Sequence, residues 1–325
     1  MPKTNLTVLV TGGAGFIGSH LCEKLLSEGF GVIAYDNLYS SSQKNITELI
    51  KNTKFKFVKG DVLDTKKLRS VIKRSDIIFH LAAILGVSKV VENPLLTMSV
   101  NIKGVENVCG AAFSLGKKKV IFTSSSEVYG KSLDNPLREN ANLLFGPTHV
   151  TRWNYGLSKT LGEEIMWAYA KKGLPIIIIR VFNSYGPRGI NSSYSHVIPK
   201  FIQNALAGKA LPVNQDGKQS RTFTYVTDTV NGIYLASKYP RNAIFNIGSD
   251  KETLIADLAK KIIKITASKS KVAFVSEEKM YGKNFESVRK RWPDTSKAKR
   301  KLGFLPKVSL HDGLKRTFEW IRSES

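Results

Sequence analysis

The sequence predicts an α/β fold: a doubly wound parallel sheet with a smaller, interleaved α/β substrate domain. Three observations carry this. Short β-branched runs alternate with helical stretches through the first half of the chain, a glycine-rich turn follows the first run directly, and the alternation breaks after Val181 into Gly, Pro, Asn and Ser. The runs lie at residues 6–10, 32–35, 55–59, 77–81, 120–124 and 176–181. They are apolar on both faces, as strands of a parallel sheet covered by helices must be. The loop-like stretch spans 183–195, a helical pattern follows over 197–207, and 223–226 and 245–247 read as strands again. The first domain is therefore drawn as 1–182 with 223–245 returning to it, and the second as 183–222 with 246–325.

Composition bounds the function. At about 150 residues per domain, 325 residues make two domains or one large α/β unit. With 42% hydrophobic and 23% charged residues, the composition excludes a disordered, collagen-like or purely coiled-coil chain. The longest apolar run, 174–181, holds Pro175 and is too short to span a bilayer. The amino terminus enters a strand-like run without an apolar signal core, so a cytoplasmic location is expected. Cys22 and Cys109 sit in helical patterns without CxxC spacing, so buried reduced thiols are expected, with no disulfide and no metal. Fifty Lys and Arg against 26 Asp and Glu give a net charge of +24. The basic residues are spread along the chain, and the densest stretch, 289–301, is interrupted by Pro293, Asp294 and Ser296. That distribution reads as a solvated basic surface that steers a diphosphate ligand rather than as a nucleic-acid site.

The turn reads Thr11-Gly12-Gly13-Ala14-Gly15-Phe16-Ile17-Gly18 and opens a helical run over 19–27. Gly12 permits the tight turn, Gly15 lets backbone approach a pyrophosphate, and Gly18 allows close helix packing, while the helix N-terminus supplies N–H groups to the phosphates. Asp36 ends the second strand, where a carboxylate accepts from both ribose hydroxyls and repels a 2′-phosphate. Asn37 and Leu38 offer no arginine to welcome one, so NAD is preferred over NADP.

A strand ending at Ser124 runs into Ser125-Ser126-Glu127, which puts hydroxyl and carboxylate groups at the carboxyl edge of the sheet, where such folds bind ligands. Tyr155 and Lys159 lie one helical turn apart, on a helix expected to turn Leu157, Leu161, Ile165 and Ala168 to the core. A lysine so placed lowers the phenol's pKa and leaves a base for a hydroxyl proton as hydride departs.

Together these pieces resemble the extended short-chain dehydrogenase/reductase family in its NAD-dependent nucleotide-sugar epimerase/dehydratase branch. The matching segments are TGGAGFIGSH at 11–20, GDVLD at 60–64, HLAA at 80–83, SSSEVYG at 124–130, YGLSK at 155–159, FNSYGPR at 182–188, GKQSRTFTYVTD at 217–228, NIGS at 246–249 and RWPDTSKAK at 291–299. The resemblance implies a Rossmann domain holding NAD through Gly12, Gly15, Phe16, Ile17, Gly18, Asp36 and Asn37. It adds Asp61 and Val62 at the adenine, Leu81, Ala82 and Ala83 along the pyrophosphate and nicotinamide ribose, and Asn101 and Ser124 nearby. It further implies Ser125 hydrogen-bonding the sugar hydroxyl, Tyr155 deprotonating it, and Lys159 also holding the ribose. For the substrate it implies Ser126, Asn183 and Arg221, the base-binding 197–199 segment with Val197 and Ile198, Val213, and Arg291 as a further phosphate candidate. The stretch 100–115 and the Tyr155 helix are similar to the pair that makes a four-helix homodimer interface. His80 reads as a cofactor-side core histidine; His149, His196 and His311 receive no role, and Trp153, Trp167, Trp292 and Trp320 read as packing.

The branch shares oxidation at sugar C4 and then diverges. Glu127 replaces the small residue of many 4-epimerases, and the segment 142–169 resembles the decarboxylase half of the bifunctional enzyme that makes aminoarabinose. Ser126 stands where dTDP-glucose dehydratases have Asp. The expected activity is therefore dehydration or decarboxylation of a UDP-sugar through a 4-keto intermediate, with UDP-sugar 4-epimerisation as the alternative and a non-catalytic nucleotide- or RNA-binding relative as a distant one.

Overall fold

The computed structural model describes residues 5–85, 93–189, 197–214, 216–276 and 286–324. Seven parallel strands form the central sheet: β1 (Thr7–Thr11), β2 (Gly31–Asp36), β3 (Phe55–Lys59), β4 (Ile77–His80), β5 (Lys119–Ser125), β6 (Ile176–Val181) and β11 (Ala243–Ile247). Their spatial order is β11-β6-β5-β4-β1-β2-β3. The chain winds outward from β1 to β3 and then crosses to β4 on the other side of β1. The crevice at the carboxyl ends of β1 and β4 is therefore the topological switch point, the position where open α/β sheets bind ligands. Every strand expected in the first half lies within one residue of its observed bounds. The sheet's last strand runs two residues past the domain boundary drawn at 245, because Asn246 and Ile247 keep register with Arg180 and Val181.

Alternate side chains fill two cores. Val8, Val10, Ile121, Ile177, Ile179 and Phe245 pack to one side with helices α1 (Phe16–Ser27) and α6 (Val226–Ser237). Leu9, Ile33, Ile78, Val120, Phe122 and Ile178 pack to the other with α2 (Thr65–Lys73), α3 (Pro94–Ser114) and α4 (Asn154–Lys171). Both faces of the sheet are dry, which is why the strands read as near-continuous apolar runs. Cys22 and Cys109 are buried, free thiols, one in each core.

Beyond β6, the pair β7 (Ser184–Tyr185) and β10 (Thr224–Tyr225) is followed by α5 (Val197–Leu206), β8 (Leu211–Asn214), β9 (Ser220–Thr222), β12 (Glu252–Leu254), α7 (Ile255–Ile265) and β13 (Val272–Val275). β8 pairs parallel with β13, and β9 antiparallel with β12. The strand expected at 223–226 shortens to β10 because Val226 already opens α6. From residue 190 the loop expected over 183–195 lies outside the described residues, as does His196. Among the described residues no helix is long and apolar enough to cross a membrane.

One helix is turned differently from the expectation. α4 buries Gly156, Ser158, Lys159, Gly162, Glu163 and Met166, whereas Leu161 is 45% exposed and Ala168 faces solvent. Its inner face is small and polar for a physical reason. A Cβ at Gly162 would lie 2.8 Å from the Phe122 ring, so the helix sits close on β5, and Lys159 and Glu163 reach the strand end with their polar tips. Of the residues expected inward, Ile165 packs against the core and Leu157 against Val150 and Trp153, while Leu161 and Ala168 are left on the outer flank.

Candidate active site

The turn after β1 is shaped by its glycines. Gly12 has φ +70° and donates its N–H to the Tyr35 carbonyl at 2.8 Å; a Cβ there would lie 2.8 Å from the Ala82 nitrogen. At Gly18 a Cβ would run into the Gly12 carbonyl oxygen, so α1 can approach the turn only with glycine at that position. No side chain caps the N-terminus of α1, which begins after Gly15. Its first-turn N–H groups and positive dipole end therefore face the crevice, as a pyrophosphate requires.

Asp36 is held where a ribose would meet it. One carboxylate oxygen accepts from Ala14 N at 3.1 Å, and the other from Leu38 N at 2.8 Å and Ser41 Oγ at 2.7 Å. Asn37 donates to Asp61 Oδ2 at 2.7 Å, so a second carboxylate lines the same rim. Val62 is buried behind it, its carbonyl held by Asn107. The donor-rich turn and the acidic rim fit NAD and disfavour the extra phosphate of NADP. Replacing Asp36 with Ala should weaken NAD binding about 10- to 100-fold, the equivalent of one charge-assisted hydrogen bond, and narrow the preference over NADP, both read by titration calorimetry.

Leu81, Ala82 and Ala83 follow β4 beside this turn: Leu81 N donates to the Thr11 carbonyl and Ala82 N to Thr11 Oγ1. Asn101 lies one layer behind. Its amide brackets Ile84, accepting from Ile84 N at 2.8 Å and donating to Ile84 O at 2.9 Å, and it also donates to Ser158 Oγ at 3.0 Å. It thus ties the loop to α3 and α4 instead of reaching a ligand with its side chain. His80 shares a 2.7 Å hydrogen bond between Nδ1 and Thr11 Oγ1 and stacks on Phe122. Burial, helped by the nearby Lys159 charge, lowers its pKa to about 3, so it is neutral near pH 7 and is no acid–base group there.

Three residues at the end of β5 meet α4. Ser125 Oγ accepts from Glu127 N at 3.2 Å and hydrogen-bonds the Tyr155 side chain. Lys159 Nζ donates to the Thr123 carbonyl at 2.9 Å and lies 6.0 Å from the centre of the Tyr155 ring. Ser124 is turned away from the crevice, its hydroxyl donating to Glu163 Oε1 at 2.5 Å. The electrostatics differ from the expected depressed phenol. Burial raises the Tyr155 pKa, Ser125 pulls it back, and the Glu127 charge raises it further. Burial lowers the Lys159 pKa to about 7, with Glu163 opposing. Desolvation is the largest influence on both groups.

The far end of the crevice holds an ionic cluster that the sequence did not reveal. Arg152 donates to Glu127 Oε2 at 2.9 Å, and Arg291 pairs with Glu127 Oε1 and with the Gly130 carbonyl. Burial raises the Glu127 pKa, but Arg291 and Arg152 outweigh it and hold the carboxyl well below the usual range. Arg291, expected as a phosphate candidate, is held by Glu127 and the Gly130 carbonyl. The Arg152 guanidinium lies 4.5 Å over the ring of Trp153, and Glu286 accepts from Trp153 Nε1 and Lys131 Nζ. Arg152 lies in the short turn Thr151–Trp153 that leads into α4, and its signal in the sequence was the Arg-Trp pair within the 142–169 segment. Ser126 is buried in the short turn between Ser125 and Glu127.

On the substrate side, Asn183 has φ +32° and donates its amide to the Thr222 carbonyl at 2.9 Å. Arg221 donates to the carbonyls of Ser220 and Arg289, which places its guanidinium beside the 286–291 segment that also carries Arg291. Val197 begins α5 at the core edge, whereas the side chains of Ile198 and Val213 are fully buried in the core, so any contact they make with a ligand is through the backbone.

Comparison with known proteins bears on this arrangement. Residues 8–248 match the model of the NAD dependent epimerase/dehydratase family. The chain is 44% identical, over 97% of its length and 97% of the relative's, to a UDP-N-acetyl-alpha-D-glucosaminuronate decarboxylase of Bacillus cytotoxicus. It is 36% identical to UDP-glucuronic acid decarboxylase 6 of Arabidopsis thaliana, covering 96% of this chain and 88% of that one. Among solved structures, it superposes on the UDP-glucuronic acid 4-epimerase of Bacillus cereus in complex with UDP-glucuronic acid and NAD. That match has a TM-score of 0.88 at 30% identity and covers 98% and 100% of the two chains.

Proposed function

The chain belongs to the NAD dependent epimerase/dehydratase family, and from that premise we propose that it is an NAD-dependent decarboxylase of a UDP-linked uronic acid. The observation that carries this reading is the cluster at the sugar end. Two guanidiniums around one carboxylate leave a net charge of +1 there, which a uronate carboxylate neutralises. Glu127, locked in its ionised form, is a poor base for the C5 proton, which argues against a dehydratase.

Tyr155 takes the C4 hydroxyl proton, with Ser125 holding the same oxygen. Asp36 and the turn at Gly12–Gly18 would hold NAD, which would supply a reversible hydride acceptor at C4. The ketone at C4 is then β to the C6 carboxylate. The C5–C6 bond breaks, CO2 leaves, and the bonding pair becomes an enolate whose O4 the Tyr155 phenol and Ser125 hydrogen-bond; C5 then takes a proton from water to restore the ketone, and Tyr155 gives its proton back to O4 as the C4 hydride returns. Arg152 holds the carboxylate end before cleavage, while Arg291 keeps Glu127 in place. The basic surface steers the diphosphate inward. The same reading makes the enzyme a homodimer through α3 and α4, whose Leu95, Leu96 and Leu161 are exposed in the single chain.

Mass spectrometry after incubation with NAD and either UDP-glucuronate or UDP-N-acetylglucosaminuronate tests the proposal. Loss of CO2 to give a pentose product is expected. Unchanged mass with an inverted C4 would make the protein an epimerase, a reading that the likeness to the Bacillus cereus structure favours.

A further inference from the structure

The end of β5 and the inner face of α4 are joined rung by rung. Ser125 meets Tyr155, Thr123 O meets Lys159 Nζ, and Ser124 Oγ meets Glu163 Oε1. Tyr155, Lys159 and Glu163 are each four residues apart, so they stand one above another on the helix. The third rung belongs to neither the NAD cradle nor the sugar-end cluster. Glu163 is buried, and Arg180 from β6 clamps both its oxygens, Nε to Oε1 at 3.0 Å and Nη2 to Oε2 at 2.7 Å. Arg180 in turn lies 4.6 Å over the Tyr129 ring and donates to the Glu139 carbonyl. A buried ion pair of this kind is expensive to build and is weak evidence for stability alone.

We propose that Glu163 is a positioning residue for the oxidation step: its clamped carboxylate is the counter-charge that keeps Lys159 cationic inside the protein and holds α4 in the register that pairs Tyr155 with Ser125. The proposal rests on the oxidation chemistry assigned to Tyr155, not on decarboxylation. The charged and titratable groups facing Lys159 are Tyr155 and Glu163 on its own helix and His80 on β4, with Arg180 on β6 behind Glu163. His80 is neutral and Tyr155 is protonated near pH 7, which leaves Glu163 as the negative charge among these groups. Burial already brings Lys159 to about 7, so a modest change in its counter-charge moves its protonation across the working range.

The test titrates Lys159 directly by NMR, in full-length protein with NAD added and with lysine carbon-13 labelled at Cε. The Lys159 signal is assigned by its loss in Lys159→Met. Glu163→Gln should lower the Lys159 midpoint by about one pH unit, a tenfold loss of proton affinity, and shift the pH profile of kcat in parallel. A folded Glu163→Gln protein with an unchanged midpoint overturns the proposal, because a purely structural role would change Tm alone. Should that variant not fold, Ser124→Ala serves. It strips a hydrogen bond from the carboxylate without touching its charge and should raise the Lys159 midpoint; an unchanged or lowered midpoint overturns the proposal. The titration needs no turnover, so a failure of the decarboxylase reading appears separately, as absence of product from wild-type protein.

Discussion

Tyr155→Phe should cut turnover by about 10²- to 10⁴-fold while leaving NAD binding within a factor of two or so, since the variant removes a proton acceptor and keeps the ring. The ring packs against the strand end, and the lost oxygen is the one that hydrogen-bonds Ser125. The pH dependence gives a sharper signature. Burial and the Glu127 charge keep the phenol protonated near pH 7, and the working base is its ionised form. Wild-type kcat/KM should therefore rise with pH through the tyrosine's ionisation, and the small residual activity of Tyr155→Phe should lack that rising limb. Steady-state rates across pH, together with calorimetric NAD titration, check both. Turnover within a few-fold of wild type would reject Tyr155 as the base.

Arg152→Gln should lower kcat/KM for a UDP-uronate by about 10- to 100-fold, the equivalent of one charge-assisted hydrogen bond of roughly 1.5–3 kcal/mol, and leave the affinity for UDP-glucose unchanged. The contrast follows from what each arginine is held by. Arg291 is almost fully buried and also donates to the Gly130 carbonyl, whereas the Arg152 side chain is 10% exposed and lies over Trp153. Arg152 is thus the guanidinium able to divide itself between Glu127 and an incoming carboxylate. The sign for Glu127 is fixed as well. Losing one of its two cations raises its proton affinity, so the variant's activity should fall at a higher pH than wild type as the medium is made acidic. Equal losses for the uronate and for the neutral sugar would move Arg152 from carboxylate recognition to diphosphate or structural work.

The strand–glycine turn–helix unit was legible in the sequence because its logic is local. A strand, a glycine turn and a helix follow one another within about twenty residues, and the glycines at 12 and 18 are required by backbone contacts that no side chain at those positions would permit. The sugar end was not legible in the same way. Glu127 stood out by type, but its partners come from residue 152 and residue 291, and the second is 164 positions away. No spacing rule connects those three. The orientation of α4 was misread for a related reason. Periodicity placed the leucines inward, whereas the close approach of Gly162 to Phe122 and the reach of Lys159 and Glu163 into the strand end turn a polar face to the sheet. Ser124 and Asn101 sit near the cofactor crevice, as their motifs suggested, yet each spends its side chain on protein groups.

By itself the sequence determined the sheet, its strands and the dinucleotide turn, since these depend on side-chain period and on φ angles open only to glycine. The tertiary structure alone decided the protonation states that give the site its chemistry. Glu127 is ionised, Lys159 is poised near neutrality and Tyr155 is protonated because of which charges lie nearby and how much water is excluded, and both are properties of packing between segments far apart in the chain.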